Sequence, residues 1–299
     1  MTLFFLGKVY TSCLLLSHFL KVEALLHNPS SSNDYVVSES NHIHNHNQNQ
    51  KNSYLRSQKE ATTSIPTQRE IIEELFSSLR LHIYEDDECE SQFISCENGI
   101  VKKVEVKHYS KIWSTHDSGQ QGQIPRSIEL LTDLEEIVLD GVPDLSGSLP
   151  TELGSLSKLR ILRLADNTVL GQVPTELGNL NHLEWLDLAY NALTGSIPSE
   201  LGKLQNAKRL NLGHNNMKGE IPKELGNLNN VKMIDLSYNK LTGTIPTELN
   251  ALDNLIWFEL HDNGLNGNIP DKLKTLSSLE EMNLNPPTIS TSESDWTFE

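Results

Sequence analysis

The pattern L-x-x-L-x-L-x-x-N begins at Leu159 and returns at Leu183, Ala207, Val231, Leu255 and Leu279, each start 24 residues after the last. An earlier copy starts at Leu134, 25 residues upstream, and a degenerate one at Val101, with Val104 and Val106 in the apolar places. The 33 residues from Val101 to Leu134 leave room for an insertion around His108–Gln121. Self-similarity at such a period means stacked units sharing one continuous core, since no unit can bury its apolar side alone.

Within a unit, alternation assigns directions. In Leu183-Glu-Trp-Leu186-Asp-Leu188 a short strand turns Leu186 and Leu188 inward and Trp185 and Asp187 outward. Parallel pairing of successive units then predicts a concave sheet of eight strands, about 35 Å long at roughly 4.8 Å per strand. Asn167, Asn191, Asn215, Asn239 and Asn263 follow the strands, where an amide can satisfy the backbone of a buried turn. G-x-[ILV]-P recurs from Gly122 through Gly147, Gly171, Gly195, Gly219, Gly243 and Gly267. There glycine permits a tight bend and proline sets φ for the return leg. In Pro174-Thr-Glu-Leu177-Gly178 the proline suits a short helical start and Gly178 its end, a plan repeated at Pro150, Pro198 and Pro222.

Upstream, Thr67 and Glu70 form a capping-box pair, and Ile71, Ile72, Leu75, Phe76 and Leu79 recur as one helical stripe suited to closing the open end of the coil. The stretch from His27 to about Thr67 is rich in Asn, Ser, Gln and His and predicts a disordered arm. His42, His44 and His46 alternate in it, but a flexible segment lacks the outer shell that holds a metal, so no cofactor is expected. At the start, Lys8, an apolar run from Val9 to Leu20, and Val22-Glu23-Ala24 resemble a signal peptide cleaved after Ala24, the alternative being a membrane anchor. Cys89 and Cys96 remain as an even pair, suited to a disulfide in the compartment a signal implies; two free thiols in a cytosolic chain are the other reading.

These residues resemble the plant-type leucine-rich repeat over about Val101 to Leu284, and Cys89, Ile94 and Cys96 match the spacing of that family's N-terminal cap, with Ser91 and Phe93 where it has Trp and Gly. The resemblance implies an α/β solenoid: a right-handed leucine-rich-repeat coil with a parallel concave sheet and an N-terminal helical cap. The resulting division is signal 1–24, arm 25–66, cap 67–100, repeats 101–285 and an acidic tail 286–299. Similar proteins are receptor ectodomains and secreted inhibitors that bind proteins, peptides or polysaccharides, in some cases with a co-receptor. No kinase motif, Walker-type glycine loop, H-E-x-x-H or C-x-x-C is present, so an enzyme is not expected. The paired cysteines that end such coils are replaced by Pro286 and Pro287, which would blunt the last strand edge.

Charge narrows the partner. The net charge of −16, about −17 without Met1–Ala24, repels phosphate backbones, so nucleic acid is a poor partner. No other segment reaches transmembrane length, and a secreted or cell-surface location follows from the signal.

Stacking makes neighbours of residues 24 apart. One outward column reads Ile161, Trp185, Arg209, Met233, Trp257; beside it run Arg163, Asp187, Asn211, Asp235, Glu259 and Asn283; near the strand ends lie Tyr190, His214, Tyr238 and Asp262. Trp, Met and Arg are enriched at interfaces, so the candidate partner-binding residues are Ile161, Arg163, Trp185, Asp187, Tyr190, Arg209, Met233, Asp235, Tyr238, Trp257 and Glu259. Asp235 and Glu259 stand one strand apart, but an open solvated sheet offers little desolvation to tune either, so catalysis is not expected there. The expected function is recognition of a ligand on the concave face; the alternative is a structural spacer in a cell covering or matrix.

Overall fold

The computed structural model describes residues 65–79, 81, 88–107, 122–142 and 144–284. The signal, most of the arm with its histidines, the insertion at 108–121, and the tail with Pro286 and Pro287 lie outside the described residues. The described part belongs to one compact unit that begins at Ile65.

A nine-stranded sheet runs through it, in the spatial order Ile94–Glu97, Ile100–Lys107, Glu136–Asp140, Ile161–Arg163, Trp185–Asp187, Arg209–Asn211, Met233–Asp235, Trp257–Glu259 and Glu281–Asn283. The last eight of these pair in parallel, as the repeat predicts. Each pairing is in phase with the period: Leu162, Leu186, Leu210, Ile234 and Phe258 are successive partners, and all are buried. Each such side chain contributes roughly 1.5–3 kcal/mol on burial, so several per unit hold the stack together.

The first strand, Ile94–Glu97, is an addition to the expected sheet. It runs antiparallel to Ile100–Lys107 through a two-residue loop, Asn98-Gly99, with both residues at positive φ (53° and 74°). Asn-Gly is the pair that such a hairpin turn prefers, because its twist matches that of the flanking strands. That dipeptide was the signal for this strand. Cys89 and Cys96 are joined in a disulfide, with Cα atoms 5.5 Å apart, which ties the hairpin to the segment before it.

The helix Gln68–Ser78 starts at a capping box between Thr67 and Glu70 and buries Ile71, Ile72, Leu75 and Phe76. It covers the beginning of the coil. Phe76 packs on Phe93 with ring centroids 5.8 Å apart, Val101 N–H donates to the Gln68 side chain, and the Ser78 hydroxyl donates to the carbonyl of Gln123.

The asparagines do what the repeat requires. Asn215 Nδ2 donates to the carbonyls of Leu188, Leu212 and Gly213, and its Oδ1 accepts from Leu193 N–H; Asn191, Asn239 and Asn263 repeat the scheme. Beyond the asparagines, short strands form two further three-stranded sheets, one from Ser146–Ser148, Thr168–Gln172 and Ala192–Thr194, the other from Lys218–Gly219, Lys240–Gly243 and Gly264–Leu265. The sequence reading contained only the long sheet.

The return legs are five-residue 3-10 helices such as Thr175–Asn179 and Ser199–Lys203, each preceded by its proline. Gly178 lies inside its helix, so its role differs from the expected helix stop. A Cβ at Gly202 would sit 2.2 Å from the carbonyl oxygen of Glu224 in the next unit, and one at Gly178 would sit 2.4 Å from that of Glu200. Glycine is present because adjacent turns touch backbone to backbone. Asn250 replaces it in the last full turn, where its Oδ1 accepts from Leu273 N–H.

Candidate functional site

The outward columns assemble in the expected register. Ile161, Trp185, Arg209, Met233 and Trp257 are successive partners, and Glu281 continues the line beyond Trp257. Arg163, Asp187, Asn211, Asp235, Glu259 and Asn283 form the second column. At the strand ends, Tyr190, His214 and Tyr238 adopt left-handed backbone conformations (φ 53°, 53° and 49°), which cost a non-glycine residue roughly 1–2 kcal/mol. Their rings lie like coins in a roll: Tyr190 on His214 at 3.9 Å, His214 on Tyr238 at 4.0 Å, with the edge of His261 against Tyr238 at 4.8 Å. Such stacking, a net gain of about 0.5–1.5 kcal/mol per pair, offsets part of that strain.

The repeats themselves have known relatives. A family model described as Leucine rich repeat matches residues 157–217, and a second of the same description matches residues 230–252. Together with the long in-phase sheet, these matches identify the repeats and the fold. The chain carries leucine-rich repeats and folds as a leucine-rich-repeat solenoid.

Solved structures extend the comparison. The plant peptide hormone receptor RGFR1 in complex with RGF2 is similar over 56% of this chain and 27% of its own, with 38% identity and a TM-score of 0.54. The PEPR1–AtPEP1 structure is similar over 69% of this chain and 28% of its own, with 27% identity and a TM-score of 0.58. This leucine-rich-repeat chain therefore spans little more than a quarter of either receptor structure. A plant ice-binding protein shares the fold, with 24% identity, a TM-score of 0.54 and coverage of 72% of this chain and 86% of its own. Among curated proteins none matches the chain.

Geometry separates the expected site residues into occupied and open groups. The Trp185 ring carries two guanidiniums, Arg163 at 4.4 Å and Arg209 at 4.7 Å from its centroid. The indole is engaged by both cations, so the rigid platform expected there is already in use. The faces of Tyr190 and Tyr238 that meet His214 are likewise taken, although both tyrosines remain exposed to solvent at their edges. Trp257 is different. It is 38% exposed, and among the described residues no ring or cation lies against it.

The carboxylates divide the same way. Arg163 holds Asp140 at 2.5 Å and approaches Asp187, which is only 8% exposed, at 3.8 Å. Burial raises the Asp187 carboxyl above the ordinary range, opposed by the Ala189 amide and the Arg163 charge. Although its strand position is an outward one, Asp187 is buried, with the Arg163 guanidinium beside it. Glu259 corrects the expectation of an open, solvated sheet. Burial pushes its pKa up, Asn283 opposes the shift, and the charges of Glu281 and Asp235 add to it. Its Oε1 accepts from Asn283 Nδ2 at 2.8 Å, whereas Oε2 is buried with no hydrogen-bond partner and lies 3.6 Å from His261 Nε2.

Asp235 accepts from Ser237 N–H and its hydroxyl, and among the described residues neither Asp235 nor Glu281 has a Lys or Arg partner. Earlier units are self-neutralised. Lys103 pairs with Glu105 and Glu136, Lys102 with Glu135, and Glu184 with both Arg160 and Lys208, which hold its pKa below the ordinary range. Among the described residues no group of three or more His, Cys, Asp or Glu side chains gathers to hold a metal, and no helix is long and apolar enough to cross a membrane.

Sequence reasoning passed over three contributors. His214 was placed at the strand ends but not among the candidates, although the period puts it between Tyr190 and Tyr238. Glu281 was one further step of 24 along the Trp257 column. His261 lies one residue before the place that the period marks with Asp262, so no periodic signal pointed to it.

Proposed function

We propose that this chain is a recognition module, acting outside the cell, that binds an extended peptide or protein segment on the concave face of its long sheet. The observation that carries the reading is the unbroken outward column Ile161–Trp185–Arg209–Met233–Trp257, which serves no core and presents interface-prone residue types over five adjacent strands. Trp185 is engaged by its flanking arginines, and Met233 and the exposed Trp257 remain side by side as the apolar part of the column open to a ligand. The similarity to RGFR1 in complex with RGF2 and to PEPR1–AtPEP1 supports a peptide rather than a polysaccharide as ligand. Secretion through the N-terminal apolar segment accords with this role and with the Cys89–Cys96 bridge, because such bonds persist in oxidising compartments.

The test is selection from a random peptide library against the full chain. Enriched peptides are expected to bind the parent and to lose binding to Met233→Asp, which places a charge at the centre of the column without touching the core. Peptides that bind both forms alike would move the site to another face.

A further inference from the structure

The two tryptophans of the column are an internal experiment. Three units separate them, and the same shift carries Arg163 onto Asp235, Arg209 onto Glu281 and Asp187 onto Glu259. Around Trp185 the chain supplies two cations, one diagonally across from the preceding strand and one directly beside it on the following strand. Around Trp257 the same two places hold carboxylates. A carboxylate is repelled by the negative face of an indole, so these side chains cannot close over the ring as the guanidiniums do. The result is an open indole face ringed by Asp235, Glu259 and Glu281, with one buried Glu259 oxygen lacking a hydrogen bond.

Resting on the reading of this face as a peptide site, we infer that Trp257 and its three carboxylates receive a lysine or arginine side chain of the bound peptide. Arg163 demonstrates the geometry: a guanidinium lies over the indole of one strand while its nitrogens meet carboxylates on neighbouring strands. At Trp257 the indole recurs and Glu259 repeats Asp187, while Asp235 and Glu281 stand where the cations were and Gly213 holds the place of Asp140. A ligand cation would stack on the ring and neutralise charges that now repel one another. A neutral or anionic group would leave those charges facing one another and would gain only the contact with the ring.

The probe is acetyl-Gly-Arg-Gly-amide, titrated into the full chain while the indole N–H resonances are followed. The Trp257 resonance, assigned by its loss in Trp257→Phe, is expected to shift and saturate, while the Trp185 resonance stays in place. The citrulline analogue, isosteric and uncharged, is expected not to saturate. In Asp235→Asn/Glu281→Gln the arginine peptide should bind roughly tenfold more weakly, the loss of two exposed charge contacts. Equal response to arginine and citrulline, or a response centred on Trp185, overturns the inference. Selection of neutral peptides that still depend on Met233 would overturn it too while leaving the peptide-site reading intact; selected peptides indifferent to Met233→Asp would instead remove that reading.

Discussion

The return turns and the concave face belong to the same coil but tolerate change in opposite ways. On the return side, Gly154, Gly178, Gly202 and Gly226 each meet the backbone carbonyl of the next unit at a distance that admits no Cβ. On the concave side, equivalent positions pass from Ile161 to Trp185, Arg209, Met233, Trp257 and Glu281 with no change in strand pairing. The return turns help fix how units stack, and the outward concave side chains take no part in that, so they are free to vary and carry recognition.

The strongest test of that division is Leu186→Ala. Leu186 is fully buried beneath the concave strand, and its truncation is expected to cost about 2–5 kcal/mol in denaturant unfolding, through the cavity it leaves. Gly202→Ala should follow at about 1–3 kcal/mol, since its new methyl meets the Glu224 carbonyl rather than a side chain that could swing away. A neutral result at Gly202 would show that the turns can slide apart, and the division would fail.

A smaller effect reports on the concave carboxylates. Because burial raises the Glu259 pKa, the folded state holds that proton more tightly than the unfolded chain. Stability from this group therefore falls as pH rises from its ordinary value near 4.5 through the raised folded value. Glu259→Gln removes the titration, so its stability relative to the parent should increase with pH across that window and level off above it. A flat difference would place the carboxylate in solvent. The smallest effect is expected at Trp257→Ala, within about 0.5 kcal/mol of the parent in stability, because the ring lies outside the core. A loss above 2 kcal/mol would make Trp257 structural.

Much of this was legible in the sequence because a strict period converts position into neighbourhood. The partners of Trp185 and Asp235 follow from counting, as do the asparagine turns and the capping box at Thr67. What counting could not supply was the reach of long side chains. Arg163 crosses to Trp185 and shields Asp187 through a choice of rotamer, which no periodicity encodes, and that choice decides which indole is open. The role of Gly178 was misassigned for a related reason: a glycine that ends a helix and one that admits a neighbouring backbone look alike in a single chain. The hairpin at Asn98-Gly99 fell in a segment read as a cap, where the repeat offered no guide.

The asparagine bonds give the coil a direction. Asn215 serves carbonyls of its own unit and of the unit before it, and accepts the Leu193 amide of that earlier unit, while Asn239 then does the same for the unit of Asn215. Each unit is thus finished by its successor. Shortening the chain from the C-terminal side strips polar partners from the unit left at the end, at about 1–3 kcal/mol for each buried group left unmet. Removing a unit from the N-terminal side takes away an asparagine's clients but leaves the asparagine bonds within and between the remaining units intact. Unravelling should therefore run preferentially from the C-terminal end, and hydrogen exchange along the chain would display that asymmetry as a gradient of protection.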